Sequence, residues 1–276
     1  MKHKEMQWQS NDGLSLFGRR WEPVGDIKGV ICLVHGHGEH SGRYIHWAER
    51  LTQAGYAVAA MDLRGHGRSE GKRGHAPSYD HYTDDFKLLC DEAEQNFPGK
   101  PCFLYGHSLG GLIALFYLIQ RRPKLNGAVI TSPMLGGAIM DQKTKIVLTR
   151  ILGSIIPAVG VPTGTDPEAL ARDKTVIEAY RNDPLVHEQG TMRMGKCMLE
   201  TILLTFDRAH EIELPLLIMH GTEDRITYSS GSEKLSGLIP GECTLQLWRG
   251  LYHELHNEPE KDEVFELLKN WLDSKL

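Results

Sequence analysis

The sequence predicts an α/β fold with a mostly parallel sheet and helices on both faces of that sheet. Two observations support this prediction: short apolar blocks rich in β-branched residues recur along the chain, and helical patterns alternate with them. The first block, residues 30–34, is followed by helical spacing over residues 44–54, with Gly55 as a helix stop. The second block, residues 56–61, ends in a glycine-rich turn region over residues 62–69.

The same alternation continues through the middle of the chain. Apolar residues at helical spacing between Phe86 and Phe97 predict a helix. Residues 102–105 predict the next strand, residues 111–120 an apolar helix after a sharp turn, and residues 128–131 a further strand. Repeated units of this kind place parallel strands side by side in one sheet.

The pattern changes near residue 137, after which a long segment contains several prolines and no clear buried strand. Two further strands and a closing helix follow over residues 214–272. We therefore predict one catalytic core domain made of residues 1–136 and 213–276. Residues 137–212 are predicted to form a helical cap, or lid, inserted into that core.

The composition excludes several classes of protein. The 276 residues include 31 Lys and Arg and 36 Asp and Glu, a formal charge of −5, whereas nucleic-acid-binding domains are normally basic. No segment approaches the roughly 20 uncharged apolar residues of a membrane helix, and the first seven residues lack the apolar core of a signal peptide. We therefore expect a soluble, cytoplasmic protein without a nucleic-acid partner. The five cysteines are odd in number and scattered, which is typical of reduced thiols.

The clearest local motif is Gly106-His107-Ser108-Leu109-Gly110, which lies between a predicted strand and a predicted helix. Its G-x-S-x-G form is that of a nucleophile elbow. The two glycines allow a tight, strained turn that exposes the serine hydroxyl at the carboxyl end of the sheet. We therefore predict Ser108 as a nucleophile.

A serine nucleophile needs a base, and the base needs a carboxylate that orients it. Asp224 directly follows a predicted strand, and His253 directly follows the next, so both are expected at the same edge of the sheet as the serine. We predict Asp224 as the acid and His253 as the base. Glu223 is the rival for the acid, and His256 is the rival for the base.

An oxyanion hole is expected beside this nucleophile. One donor is the backbone N–H after the serine, which belongs to Leu109, and the second comes from a glycine-rich loop after an early strand. That loop is His35-Gly36-His37-Gly38, so the N–H of His37 is the predicted second donor.

Four motifs carry a family resemblance: HGHGEHSGRY at residues 35–44, DLRGHGRSEG at 62–71, GHSLGG at 106–111 and YHELHNE at 252–258. Together they resemble the monoacylglycerol lipase and lysophospholipase-like family of α/β-hydrolases. The resemblance implies the α/β-hydrolase fold and cleavage of the ester bond of monoacylglycerols to fatty acid and glycerol through an acyl-enzyme, without a cofactor. It also implies an apolar tunnel for the acyl chain under the cap and a small polar pocket for the glycerol.

Five residues resemble the polar residues of that pocket by their position in the motifs: Glu39, Arg43, His107, Tyr180 and His256. For two of them an alternative stays open, because Glu39 and Arg43 are equally expected to pair with each other and brace the oxyanion loop. His107 is alternatively a packing residue of the elbow.

Other functions and roles are open. A lysophospholipase or a general carboxylesterase would use the same triad, and a catalytically inactive, lipid-binding scaffold is the alternative from another class. We expect no metal at His35, His37 and His40, because the glycines between them indicate a backbone turn. Residues 62–69 are expected to be structural, with Asp62 bonding loop amides and Arg64 pairing with nearby carboxylates.

Apolar residues recur at helical spacing between Ile146 and Val159. We expect this stripe to form the cap's own core rather than a membrane anchor. If some of it is exposed, it would allow transient contact between the cap and a membrane surface. The sequence does not indicate the oligomeric state.

Overall fold

Short runs of buried apolar residues form the strands of one eight-stranded sheet. The computed structural model describes residues 1–137 and 143–276, and the bounds given below refer to that part of the chain. In chain order the strands are β1 (Lys2–Gln9), β2 (Ser15–Glu22), β3 (Gly29–Val34), β4 (Tyr56–Met61), β5 (Cys102–His107), β6 (Gly127–Thr131), β7 (Gly160–Pro162), β8 (Gln189–Thr191), β9 (Leu216–Gly221) and β10 (Cys243–Trp248).

The strands of the main sheet are arranged in the order β1-β2-β4-β3-β5-β6-β9-β10. The pairs β1–β2 and β2–β4 are antiparallel, and all the other pairs of this sheet are parallel. Val34 pairs with Gly106, His107 with Thr131, and Thr131 with Met219. The carboxyl ends of the central strands therefore meet at one edge, where the loops that follow them come together.

Helices cover both faces of this sheet, and the predicted fold class is confirmed. The helices are α1 (Ile45–Gln53), α2 (Tyr79–Asn96), α3 (Leu109–Arg121), α4 (Lys143–Ile155), α5 (Lys174–Asn182), α6 (Met192–Arg208), α7 (Ser229–Ser236) and α8 (Lys261–Asp273). Residues of α1 and α8 pack with one face of the sheet in a cluster that includes Trp47 and Leu268. Residues of α2, α3 and α7 pack with the other face, where Phe86, Leu112 and Leu235 are buried.

The chain leaves the main sheet after β6 and returns to it at β9. Between these strands lie α4, α5, α6 and the two short strands β7 and β8, which pair with each other in a separate two-stranded sheet. The predicted insertion, residues 137–212, includes residues 138–142, which are outside the described residues. Its separation from the core as a cap stays a prediction.

The N-terminal hairpin of β1 and β2 is not anticipated by the sequence pattern. β1 is an edge strand, and Met6 is its one buried residue, so it shows no alternation of buried and exposed positions. β2 is buried along most of its length although it contains Arg19 and Arg20. These two charged residues interrupt the apolar run from which a buried strand is predicted. Both strands extend the sheet on the side away from β10.

The apolar stripe of α4 is exposed, so the expectation that it forms the cap's own core is wrong for most of its residues. Val147, Ile151 and Ile155 are 55%, 50% and 70% exposed, and Ile156 and Val159 are also exposed. Ile146 and Leu152 are half-buried. In the described ranges, every helix is too short or too polar to span a bilayer.

The loop that follows β4 is structural, as predicted. Asp62 accepts the backbone N–H groups of Ser41 and Arg68, each over 2.8 Å. Arg64 donates to both carboxylate oxygens of Asp85, over 2.6 and 2.8 Å, and to both oxygens of Asp12. Arg64 therefore joins this loop to α2 and to the N-terminal hairpin.

Removing the Arg64 charge is expected to destabilise the fold. Asp85 is almost fully buried, so Arg64→Met leaves a buried carboxylate without its partner, and the free energy of unfolding should fall by about 3–5 kcal/mol. Urea unfolding followed by circular dichroism measures this change. The matched control is Arg181→Met, because the Arg181–Glu168 ion pair is half-exposed on both sides and should contribute about 0–1 kcal/mol. Equal stability of the two variants would contradict the assigned role of Arg64.

Candidate active site

The turn between β5 and α3 holds Ser108 in a strained conformation. Ser108 has φ 53° and ψ −116°, which lies outside the regions that residues with a side chain ordinarily adopt. A Cβ atom at Gly106 would lie 2.6 Å from the carbonyl oxygen of Gly110, and one at Gly110 would overlap the carbonyl oxygens of Val34 and His35. The two glycines are therefore required by close backbone contacts, as a nucleophile elbow demands.

His253 and Asp224 are joined by a short hydrogen bond. The Nδ1–H of His253 donates to Oδ2 of Asp224 over 2.6 Å, and both side chains are buried. Asp224 lies in the loop after β9 and His253 in the loop after β10, and these neighbouring strands end together. This bond leaves Nε2 of His253 as the proton acceptor.

Hydrogen-bond donors surround the carboxylate of Asp224. Its Oδ1 accepts the backbone N–H groups of Ile226 and Thr227 over 2.8 and 2.9 Å. Its Oδ2 lies 3.1 Å from Nε2 of His220 and 3.0 Å from the hydroxyl of Thr227. Burial raises the pKa of Asp224, but interactions with His253 and His220 lower the pKa by more, so the carboxyl group stays ionised well below its ordinary range.

The same interaction acts in the opposite direction on His253. Burial lowers the pKa of His253, and the charge and hydrogen bond of Asp224 raise it by more, so the net shift is upward. The hydroxyl of Ser132 donates to the backbone carbonyl of His253 over 2.8 Å and fixes the loop that carries the ring. The imidazole is thus held in one orientation and made a stronger base.

Ser108 and His253 line the same cavity. In the described part of the chain no hydrogen bond joins their two side chains, and catalytic hydrogen bonds often tighten only when substrate is bound. The ring of His107 lies 4.8 Å from that of His253 and its Nδ1 lies 3.0 Å from the hydroxyl of Thr131. His107 therefore packs behind the base and also contributes to the cavity wall.

Two backbone N–H groups next to Ser108 are available to bind an anion. Among residues 1–137 and 143–276, the N–H groups of His37 and Leu109 have no acceptor. Leu109 is the first residue of α3, where the helix macrodipole adds partial positive charge. A Cβ atom at Gly36 would lie 3.2 Å from the Cβ of Ser108, so the loop of His37 lies directly against the serine. These properties suit the predicted oxyanion hole.

Glu39, Arg43 and Glu254 form a buried charged network beside this loop. Arg43 donates to Glu39 over 2.7 Å and to both oxygens of Glu254 over 2.6 and 2.8 Å. Oε1 of Glu39 accepts the backbone N–H of Gly36 over 2.6 Å and the hydroxyl of Tyr44 over 2.8 Å. The bracing contact between Glu39 and Arg43 is thus present. Because both residues also line the cavity, their contact with substrate stays a prediction.

The cavity has a volume of about 680 Å³ and extends from Ser108 into the insertion. Its lining includes the charged residues Glu39, Arg43 and Glu254. Four methionines form part of the wall, and their flexible, apolar side chains adapt to ligands of different shape: Met134, Met192, Met194 and Met198.

Tyr180 and His256 lie at different distances from the cavity. Tyr180 is a lining residue, and the Arg43 guanidinium lies 4.9 Å above its ring. His256 is fully buried outside the lining, where it stacks on Tyr44 with ring centroids 4.7 Å apart. Burial lowers the pKa of His256 to about 3. Its predicted contact with substrate is therefore not visible in this arrangement.

The rival residues occupy other environments. Glu223 is exposed, and its backbone N–H donates to the carbonyl of Leu251, whereas Asp224 makes the contact to His253. The three histidines weighed as metal ligands also diverge. Nε2 of His35 accepts the N–H of Leu63 over 2.9 Å, and Nε2 of His40 lies 2.8 Å from Asp183.

Several residues around the site were not found by sequence reasoning. His220 and Thr227 contact the carboxylate of Asp224, and their places at the end of β9 and three residues after Asp224 are the signals that point to them. Glu254 lies beside His253 within a quoted motif. Ser132 gives no signal, because its role depends on a backbone carbonyl 121 residues away.

Comparison with known proteins agrees with this fold. A family model described as serine aminopeptidase, S33 (Hydrolase_4) matches residues 25–260. A monoacylglycerol lipase from Mycolicibacterium smegmatis is 35% identical over 93% of this chain and 92% of its own. Phospholipase YtpA from Bacillus subtilis is 33% identical over 88% of this chain and 95% of its own.

Two further matches are a longer relative and a solved structure. An uncharacterised abhydrolase domain-containing protein from Dictyostelium discoideum is 34% identical over 97% of this chain, which spans 28% of that protein. The crystal structure of a monoacylglycerol lipase from Paleococcus ferrophilus has a TM-score of 0.85 with 32% identity, and covers 100% of both chains. The chain therefore belongs to the Hydrolase_4 family of serine α/β-hydrolases, among relatives that include monoacylglycerol lipases.

Proposed function

We propose that this chain hydrolyses monoacylglycerols to fatty acid and glycerol through an acyl-enzyme on Ser108. The observation that carries the proposal is the convergence on one cavity of a strained serine, a buried His253–Asp224 pair and a loop whose His37 N–H has no acceptor among the described residues. Nucleophile, base, orienting acid and oxyanion donor are the parts that ester hydrolysis requires.

The first half of the reaction transfers the acyl group to the enzyme. Oγ of Ser108 attacks the ester carbonyl carbon while Nε2 of His253 takes the hydroxyl proton, and Asp224 stabilises the imidazolium that forms. The N–H groups of His37 and Leu109 bind the oxyanion. The bond to the glycerol oxygen then breaks, and His253 gives its proton to that oxygen.

The second half returns the enzyme to its starting state. Water enters, His253 takes one of its protons, and the resulting hydroxide attacks the acyl carbonyl. The same two N–H groups hold the second oxyanion. The bond to Ser108 breaks, His253 returns the proton to the serine, and the fatty acid leaves.

The shape and charge of the cavity support a substrate with one acyl chain. Its volume lies within the range of about 300–1,000 Å³ that small-molecule sites occupy, and four methionines contribute apolar, adaptable side chains to its wall. Arg43 is paired with both Glu39 and Glu254, so these lining residues offer polar groups without net positive charge. A neutral glycerol suits them better than a phosphate.

One observation favours a lysophospholipid as the second candidate substrate. Arg225 also lines the cavity. Its guanidinium lies 5.0 Å from the ring of Tyr252 and donates to the carbonyl of Glu168, and no carboxylate pairs with it in the described residues. A cation of this kind is suited to a phosphate group. A general carboxylesterase remains the third alternative, since the triad does not select among esters.

We also propose that residues 137–212 act as a cap that touches lipid surfaces. The exposed apolar residues of α4 give this region a surface of the kind that inserts into the headgroup layer of a bilayer. The five free cysteines favour a reducing compartment such as the cytoplasm. The cap would then draw substrate from a membrane during transient contact.

Substitution of the nucleophile tests the proposed reaction. Ser108→Ala should lower kcat on monoacylglycerols by about 10⁶-fold, because no hydroxyl remains to form the acyl-enzyme, while the exposed Ser230→Ala in α7 should keep the wild-type rate. Fatty acid release is measured with monoacylglycerols of increasing chain length, diacylglycerol, triacylglycerol, lysophosphatidylcholine and a short water-soluble ester.

The outcomes of that experiment separate the alternatives. A wild-type preference for monoacylglycerols, lost in Ser108→Ala, supports the proposal. A preference for lysophosphatidylcholine that is reduced in Arg225→Gln would favour a lysophospholipid as the substrate. A preference for the short ester would favour a general carboxylesterase. Failure of Ser108 to react with an organophosphonate would indicate an inactive lipid-binding scaffold.

The Asp224–His253 pair predicts a definite pH dependence. A base acts in its neutral form, so the raised pKa of His253 places the acidic limb of the activity profile above the position for an ordinary histidine. Asp224→Asn removes the charge that raises the pKa and leaves the burial that lowers it, so the limb should move to lower pH. The maximal rate should fall by about 10⁴-fold.

The rate of hydrolysis of a short soluble ester between pH 4 and pH 9 measures both the position of the acidic limb and the maximal rate. Glu223→Gln removes a neighbouring carboxylate that is exposed, and it should leave the limb and the maximal rate unchanged. If Glu223→Gln behaved like Asp224→Asn, or if the limb of Asp224→Asn moved to higher pH, the assigned acid would be wrong.

The cap surface can be tested on vesicles. Ile151→Glu together with Ile155→Glu places two charges on the exposed face of α4 and should weaken binding to phospholipid vesicles by at least roughly tenfold, since apolar contact with the bilayer is lost. Hydrolysis of a dissolved short ester should not change. The control is Val24→Glu with Leu238→Glu, which alters two exposed apolar residues outside the insertion. Equal vesicle binding by both double variants would contradict the proposal.

A further inference from the structure

His187 lies in the insertion between α5 and β8 and contacts the oxyanion loop directly. Its backbone N–H donates to the carbonyl of Gly38 over 2.9 Å. In its side chain, Nε2–H donates to the carbonyl of Gly65 over 3.0 Å, and Nδ1 accepts the backbone N–H of Gln189 over 3.2 Å. Because both ring nitrogens are engaged, the orientation and the tautomer of the ring are fixed.

The ring of His187 packs against two other histidines. It stands edge-on to His37, with centroids 5.6 Å apart, and lies 4.7 Å from the ring of His66. The rings of His66 and His37 are themselves 5.2 Å apart. Burial lowers the pKa of all three histidines, to about 4 for His37 and His187, so the three rings pack as uncharged aromatic groups. The ring of His37 is thus flanked by residues from two other loops.

There is no spare room between His187 and the oxyanion loop. Gly38 has φ +76°, and a Cβ atom there would overlap the carbonyl oxygen of His187. A second contact ties the same loop to the insertion, since Nε2 of His40 lies 2.8 Å from Oδ2 of Asp183. The loop is therefore held from the core side by Glu39 and from the insertion side by His187.

We infer that His187 is a positioning residue for the oxyanion hole, because its ring, anchored by the hydrogen bond to Gly65, holds the backbone contact with Gly38 in place and so fixes the direction of the His37 N–H. The insertion then acts on the chemical step as well as on the shape of the cavity. The inference rests on the proposed function, in which that N–H binds the oxyanion. His187 does not line the cavity, and within the described ranges it makes no hydrogen bond to Ser108, Asp224 or His253.

The test is His187→Leu, which fills similar space and loses the hydrogen bond to Gly65. We expect kcat to fall roughly tenfold, less than the 10²- to 10³-fold loss that follows removal of an oxyanion donor, while KM stays unchanged. The same factor should apply to monoacylglycerols of every chain length and to a short acetate ester, because the oxyanion is common to all. Phosphonylation of Ser108 by an organophosphonate should slow in parallel.

Two companion variants sharpen the result. In His187→Gln the longer amide can still donate to the Gly65 carbonyl, so most of the lost rate should return. His210→Leu removes an exposed histidine whose ring contacts the carbonyl of Asp207, and it should keep the wild-type rate. If His187→Leu does not fold, His187→Asn replaces it, because the shorter asparagine side chain cannot reach Gly65. The kcat of His187→Asn must then be lower than that of His187→Gln by the same factor for every substrate.

Several outcomes would overturn the inference. They are a wild-type kcat in folded His187→Leu, a loss that grows with acyl-chain length, and equal rates in the Asn and Gln variants. Ser108→Ala with full activity would overturn the proposed function and this inference with it. An inactive Ser108→Ala beside an unaffected His187→Leu would overturn this inference alone.

Discussion

The site depends on a contact between two backbone turns that leaves no room for side chains. The elbow after β5 and the loop after β3 touch at Gly110, whose Cβ would overlap the carbonyl oxygens of Val34 and His35, and at Gly36, whose Cβ would press on that of Ser108. Because main chain meets main chain, the separation between the serine and the His37 N–H is set by packing. The strain at Ser108 is tolerated because the strand and helix on either side are both buried.

The buried charges of the site are paired. The Asp224 carboxylate has two backbone donors on one oxygen and the histidines on the other, and Arg43 is held between two glutamates. Buried charges with a full set of partners resist reorganisation. In the proposed reaction, the imidazolium that forms on His253 therefore meets an electrostatic environment that is already oriented for it.

The sequence predicts the parts of this molecule that depend on local pattern. The central strands, most helices and the order of Ser108, Asp224 and His253 follow from apolar periodicity and turn residues, because such signals lie within a few positions of one another. The hairpin of β1 and β2 is not predicted, because β1 is an edge strand with one buried residue and so gives no regular apolar pattern. The exposure of α4 is also unpredictable from its sequence, because an apolar stripe looks the same whether or not another element covers it. The contacts of Ser132 and His187 join residues more than 100 positions apart, and only the folded chain brings them together.

The two parts of the cavity have different origins in the chain. The reactive groups come from loops at the sheet edge, whereas most of the wall comes from the segment between β6 and β9. Mutation in that segment can therefore reshape the space for an acyl chain while the chemistry is preserved, a modularity that lets one hydrolytic scaffold diversify among lipid esters. The exception is the short stretch that holds the oxyanion loop. At that stretch evolution is less free, because a substitution there also disturbs the loop that carries the His37 N–H.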